Sequence, residues 1–173
     1  GHIALLEAES SPLFGTRVDT LCTIEVDGYA HGVHITEPEI DHNSGMSLVH
    51  FPGFSEIIES GPGRILHDSL AQAFPDVRLI SIATDGIGST GEKLTCQNVW
   101  DHGIEQMAER RHKLVQALCD DKPVMLQGLS MGSVIVNRIL SQDMRSGHRL
   151  NAYPLNFDTA LVVPKLAKIC MIG

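Results

Sequence analysis

The chain has 173 residues, 43% of them hydrophobic, enough for one domain with a sizeable core and too few for two comfortable ones. A formal net charge of −8 with no Lys/Arg cluster argues against a phosphate backbone as partner, which excludes nucleic-acid binding. No run approaches the ~18 apolar residues of a membrane span, and the scattered Cys22, Cys96, Cys119 and Cys170 contain no C-x-x-C pair, reading as buried or free thiols of a reducing, cytoplasmic compartment, with a removed secretory signal left open.

Residues 1 to 16 have no clear period and are expected as a lead-in to a domain covering residues 17 to 173. Arg17 to Val26 alternates with β-branched content, Asp27-Gly28 is a strong hairpin turn, and Tyr29 to Ile35 resumes the strand pattern. Residues 36 to 46 form a polar loop, and Ser47 to His50 is a short buried-type strand. A helix is expected after it, interrupted near Gly61-Pro62-Gly63 and resuming from Arg64 to Phe74. Val77 to Ala83 is a continuous apolar strand that stops at the glycine-rich loop Thr84 to Ser89. Ile104 to Leu118 places Ile104, Met107, Ala108, Val115 and Leu118 near one helical face, with Glu109, Arg110, Arg111 and Lys113 mostly elsewhere. Pro123 to Gln127 is the next strand, and Ser133 to Leu140 is helix-like. Asn151 to Lys168 has no clear pattern, and Ile169 to Ile172 reads as a last strand. Apolar strands alternating with helices imply an α/β fold: a mostly parallel sheet with helices on both faces.

Between the strand at Pro123 and the helix at Ser133 lies Gly128-Leu129-Ser130-Met131-Gly132. A serine hydroxyl is a poor nucleophile at neutral pH, and a sharp strand-turn-helix holds it above the sheet, where a base can reach it. Glycines two residues to either side let strand and helix pass closely. The helix start supplies free N–H groups, and that of Met131 would face a developing oxyanion. The competing reading is a glycine-rich turn whose serine merely caps the helix.

Three motifs in order, Ser47-Leu48-Val49-His50-Phe51-Pro52-Gly53-Phe54, Ala83-Thr84-Asp85-Gly86-Ile87-Gly88-Ser89 and Gly128 to Gly132, make residues 17 to 173 resemble the α/β-hydrolase family. The resemblance implies Ser130 as nucleophile, the Met131 and Phe54 N–H groups as oxyanion hole, a small-molecule acyl substrate, and no cofactor or metal. His50 is followed by Phe51 where the family's commonest loop has glycine, which leaves Phe54 or Ser55 as the second donor. His50 is expected to pack and hydrogen-bond, and Asp85 to shape its loop by accepting backbone N–H bonds.

In this family the acid and the histidine follow the serine on later loops. Only 43 residues follow Ser130, so both are expected outside this chain, which reads as cut after a sixth strand at Lys168 to Ile172. His148 and Asp158 are poor substitutes, and His102 and His112 are expected to face solvent. His31 and His34, three apart on a strand, face opposite sides and read as a surface pair rather than ligands of one ion. The favoured function is a serine hydrolase acting on an ester, thioester or related acyl compound through an acyl-serine intermediate. The alternative is a non-catalytic hydrolase-like binding or assembly module. A C-terminal fragment or partner chain completing the sheet is the expected partner.

Overall fold

In the structure, a computed structural model describing residues 2–13, 17–54, 56–88, 93–147 and 149–157, the chain opens with strand β1 (Ile3–Leu13). This corrects the reading of residues 1 to 16 as a lead-in: β1 runs antiparallel to β2 (Arg17–Val26), paired from Ile3 with Val26 to Leu13 with Arg17 and bulged between Leu5 and Glu7. The ladder holds it, while residues 5 to 11 are all exposed. A strand that buries neither face leaves no alternation to read.

The β2 hairpin closes as expected. Asp27 and Gly28 both take positive φ, 52° and 87°, the geometry whose twist matches the flanking strands, and β3 (Tyr29–Thr36) follows. Then come β4 (Ser47–Phe51), α1 (Gly61–Ala73), β5 (Arg78–Ile82), a 3₁₀ turn at Val99–His102, α2 (Ile104–Cys119), β6 (Val124–Leu129), α3 (Met131–Arg145) and β7 (Ala152–Phe157). Gly61-Pro62-Gly63 starts α1 rather than interrupting it, because proline suits the first helical turn, where no N–H partner is lost. The expected helical turn before it is absent among the described residues, which run irregularly from Pro52 to Ser60.

The seven strands form one mixed sheet in the order β1-β2-β3-β5-β4-β6-β7. The last four in that order are parallel, and β1, β2 and β3 extend them antiparallel. Helical crossovers cover both faces. Leu48 and Leu79 pack with Ala71 of α1 on one side, and Val49, Ile80, Ile82 and Leu126 pack with Leu114 of α2 and Ile135, Val136 and Ile139 of α3 on the other. Arg17, 1% exposed, donates to the carbonyls of Glu37, Ala71 and Val77, tying the start of β2 to the end of α1.

Because β1 is an extra edge strand, the serine turn follows the sixth strand of the chain rather than the fifth. The strand beside β6 is β7, in the segment without a clear sequence pattern; its Pro154 suits an edge position and masks the strand signal. Lys168 to Ile172, expected as the last strand, lies outside the described residues. The C-terminal ends of β4, β5 and β6 point the same way, which gathers residues 51–54, 84–88 and Ser130 at one end of the sheet.

Candidate active site

One residue separates β6 from α3. Ser130 has φ 56° and ψ −117°, outside the conformations an L side chain adopts without strain. The neighbouring glycines are required by contact. A Cβ at Gly128 would lie 2.4 Å from the carbonyl carbon of Gly132, and one at Gly132 would lie 2.0 Å from the Phe51 oxygen. The turn is braced from within: Ser133 donates its N–H to the Ser130 carbonyl at 2.9 Å and its hydroxyl to the Gly128 carbonyl at 2.9 Å. Met131, first residue of α3, has no intrahelical acceptor for its own N–H.

The loop after β4 comes up against this turn. A Cβ built on Gly53 would sit 3.7 Å from Ser130 Cβ and 3.6 Å from the Leu129 oxygen. Phe54 is the next residue, ~3.8 Å further along the Cα trace, directly after the glycine packed against Ser130. Ser55, the other donor candidate, lies outside the described residues. The Gly53 N–H is taken by Glu56 Oε2 at 3.1 Å, and Glu56 returns its N–H to the Gly53 carbonyl at 3.2 Å. His50, 1% exposed, sets Nε2 3.4 Å from the same Glu56 oxygen and Nδ1 3.2 Å from Gln127 Oε1 on β6. Both ring nitrogens are thus committed to the scaffold. Burial alone would raise the Glu56 carboxyl; hydrogen bonds from His50 and the Gly53 N–H outweigh it and hold the group below its ordinary value. Sequence reading missed Glu56 and Gln127, although the Gly-x-x-Glu spacing, with its reciprocal bonds like those of a capping box, was there to find.

Asp85 differs from expectation. Among the described residues its carboxylate accepts from side chains: Arg111 at 2.7 Å, His102 Nδ1 at 2.6 Å, and Arg110. Burial pushes its carboxyl up, but the Arg111 charge, with His102 and Arg110, holds it well below the usual carboxylate range. His102 is therefore buried, not solvent-facing. It stacks edge-on against Tyr29 of β3, and two strands separate β3 from β6, which puts it on the order of 14 Å from Ser130. His112 is buried as well, 2.9 Å from Asp143 near the far end of α3, ~20 Å along that helix from the serine.

His31 and His34 do face opposite sides of β3, but both are buried, correcting the surface reading. His34 joins Asp19 and His67 in a cluster whose donor atoms lie within 4.8 Å of one another. Hydrogen bonds account for it. His34 Nε2 and the Thr36 hydroxyl donate to Asp19 Oδ1 at 2.6 and 2.7 Å, Thr36 meets His67 Nε2 at 2.8 Å, and His67 Nδ1 meets the Ser81 hydroxyl at 2.7 Å. The two imidazoles stack at 3.7 Å and 19°, so they point alongside rather than toward a shared centre, and Arg64 supplies the nearby positive charge. That geometry does not fit tetrahedral ligation.

Of the other described histidines, His42 precedes β4 at the opposite end of the sheet, and His2 lies beside the β2 hairpin, at the far edge from β6. Among the described residues, then, no imidazole is placed to reach Ser130; His148 and Asp158 lie outside them. Beneath the turn, Phe51, Pro52, Thr84, Met131 and Ile135 enclose a cavity of about 10 Å³. A larger depression, about 470 Å³, sits between α2 and the end of α3 near Arg145, ~21 Å along the helix from the serine. It has no part in this site. No described helix is long and apolar enough to cross a membrane.

No family model and no curated protein matches the chain. Solved structures do. An epoxide hydrolase from Vigna radiata superposes with TM-score 0.61 at 17% identity, over 80% of this chain and 39% of that one. Acetyl xylan esterase 1 from Thermoanaerobacterium gives 0.57 at 16%, over 83% and 49%. Mouse alpha/beta hydrolase domain-containing protein 10 gives 0.54 at 11%, over 75% and 46%. The chain has the α/β-hydrolase fold over most of its length, and it spans less than half the length of these three proteins.

Proposed function

We propose that the chain is the N-terminal part of a serine hydrolase acting on a carboxylic ester, thioester or related acyl compound. In this reading Ser130 Oγ attacks the acyl carbon, its proton passes through a base to the leaving group, and the acyl-oxygen or acyl-sulfur bond breaks to leave an acyl-serine that water then hydrolyses. The tetrahedral oxyanion is held by the Met131 and Phe54 N–H groups. The observation that carries the proposal is the positive φ of Ser130 against the Gly53 loop. A serine that merely capped α3 would need no such strain, and its hydroxyl makes no cap hydrogen bond.

The base and the acid come from sequence or a partner that adds strands beyond β7, whose outer edge is unpaired among the described residues. Buried thiols at Cys22 and Cys119 fit a reducing, cytoplasmic setting. A fluorophosphonate probe tests the nucleophile: slow labelling of the 173-residue chain is expected at Ser130, faster once the remainder is supplied, and none in Ser130→Ala. Equal labelling of the Ala variant would overturn the assignment.

One observation favours a second reading, a hydrolase-like module without catalysis: no described imidazole reaches Ser130. That reading predicts no labelling under any condition, including addition of the remainder.

A further inference from the structure

An oxyanion donor is useful only if it is held in place, since misplacing one by an ångström forfeits most of its effect. The described residues of the loop that carries Phe54 form no helix or strand from Pro52 to Ser60, so something else must fix it. Gly53 is the pivot. Its Cα faces Ser130, with a Cβ position only 3.7 Å from Ser130 Cβ, while its N–H points the other way, to Glu56 Oε2 at 3.1 Å.

We propose that Glu56 is a positioning residue for the oxyanion loop: its carboxylate holds the Gly53 N–H and His50 Nε2 together, so that the peptide presented to Ser130 is the one carrying the Phe54 N–H. The same oxygen serves both contacts, and His50 passes the anchorage to Gln127, three residues before the serine on β6. Loop and nucleophile strand are thereby linked through one chain of buried polar groups, Glu56 being 13% exposed at its side chain and His50 1%. A charge-assisted bond to a backbone N–H is about twice as strong as a neutral one, which suits a carboxylate to this task. The inference rests on the reading of Ser130 as nucleophile.

Two measurements on the 173-residue chain test it, with Glu56→Ala and Glu56→Gln as variants. In amide exchange followed by NMR, the Gly53 N–H of the parent protein should be protected at least about tenfold, lose that protection in Glu56→Ala and regain it to within about threefold in Glu56→Gln, whose amide oxygen can still accept. An unprotected Gly53 in the parent protein, or full protection in Glu56→Ala, would overturn the proposal. In fluorophosphonate labelling of Ser130 read by mass spectrometry, the rate should fall about tenfold to a hundredfold in Glu56→Ala and return to within about threefold in Glu56→Gln. A purely structural role would lower thermal stability and leave the labelling rate of the folded variant unchanged, which would also overturn the proposal. Parent labelling no faster than Ser130→Ala would count against the nucleophile and not against Glu56, whose part the Gly53 exchange then decides alone.

Discussion

Acid should unfold this protein earlier than its carboxylates alone would suggest, because two imidazoles are buried in settings that oppose protonation. His67, under α1 between Thr36 and Ser81, is pushed from 6.5 down to about 2 by burial first, then by His34, Arg64 and His50, against the pull of Asp19. His31, on the other face of β3, is lowered from 6.5 to about 4 by burial and by Arg111 and Arg110, with Asp85 and the Tyr29 carbonyl opposing. In the unfolded chain both rings take a proton near pH 6.5; in the folded chain they do not. The unfolded state therefore binds more protons below that pH, and stability present above it is lost as the pH falls. Two such groups give a slope of about 2.7 kcal/mol per pH unit and a loss of about 4 kcal/mol between pH 7 and 5. Domains of this kind are stable by about 5 to 15 kcal/mol in total, so roughly a quarter to four-fifths of the margin would be gone by pH 5. Asp19, held down at about 2 by His34, Thr36 and Arg64 despite a burial term that raises it, adds a further loss only below pH 4. Urea unfolding at pH 7, 6 and 5 measures the effect, and His67→Gln should reduce the slope to about that of one proton. An unfolding free energy that stays level from pH 7 to 5 would refute the reasoning.

Two other substitutions have opposite expected signs. Ser130→Gly relieves a strained φ and should raise the unfolding free energy by about 1 kcal/mol, or ~3 °C in Tm, while removing the hydroxyl; a lower Tm in a thermal scan would contradict the strain. Asp85→Asn leaves the buried Arg110 and Arg111 without their carboxylate and should destabilise by about 3 to 5 kcal/mol in urea unfolding; a loss under about 1 kcal/mol would mean that the ion cluster contributes little.

What could be read from the sequence was what local chemistry determines. The Asp27-Gly28 hairpin, the apolar strands β4, β5 and β6, and the serine turn all declare themselves within a few residues, because turn geometry and strand burial leave short-range patterns. The edges did not. β1 is exposed along most of its length and β7 carries Pro154, so neither displays the alternation that marks a half-buried strand. The buried charges were misread for a different reason. Arg110 and Arg111 sit on α2 where a periodic pattern assigns charges to solvent, and their partner Asp85 is 25 and 26 residues away on the loop after β5. His34, His67 and His102 likewise become interior residues only once Asp19 on β2, Thr36 and Ser81 on β3 and β5, and Asp85 after β5 supply their partners. Local pattern carries no information about such pairings.

The contact between Gly132 and the Phe51 oxygen joins main chain to main chain. The separation between the start of α3 and the β4 loop is therefore fixed by peptide atoms, and no rotamer change elsewhere in the domain alters it. Side chains on the surrounding walls can be exchanged while the spacing of the backbone at the Ser130 turn stays as it is. A single methyl group at position 132 would instead push the start of α3 away from β4 and displace the Ser130 turn as a whole.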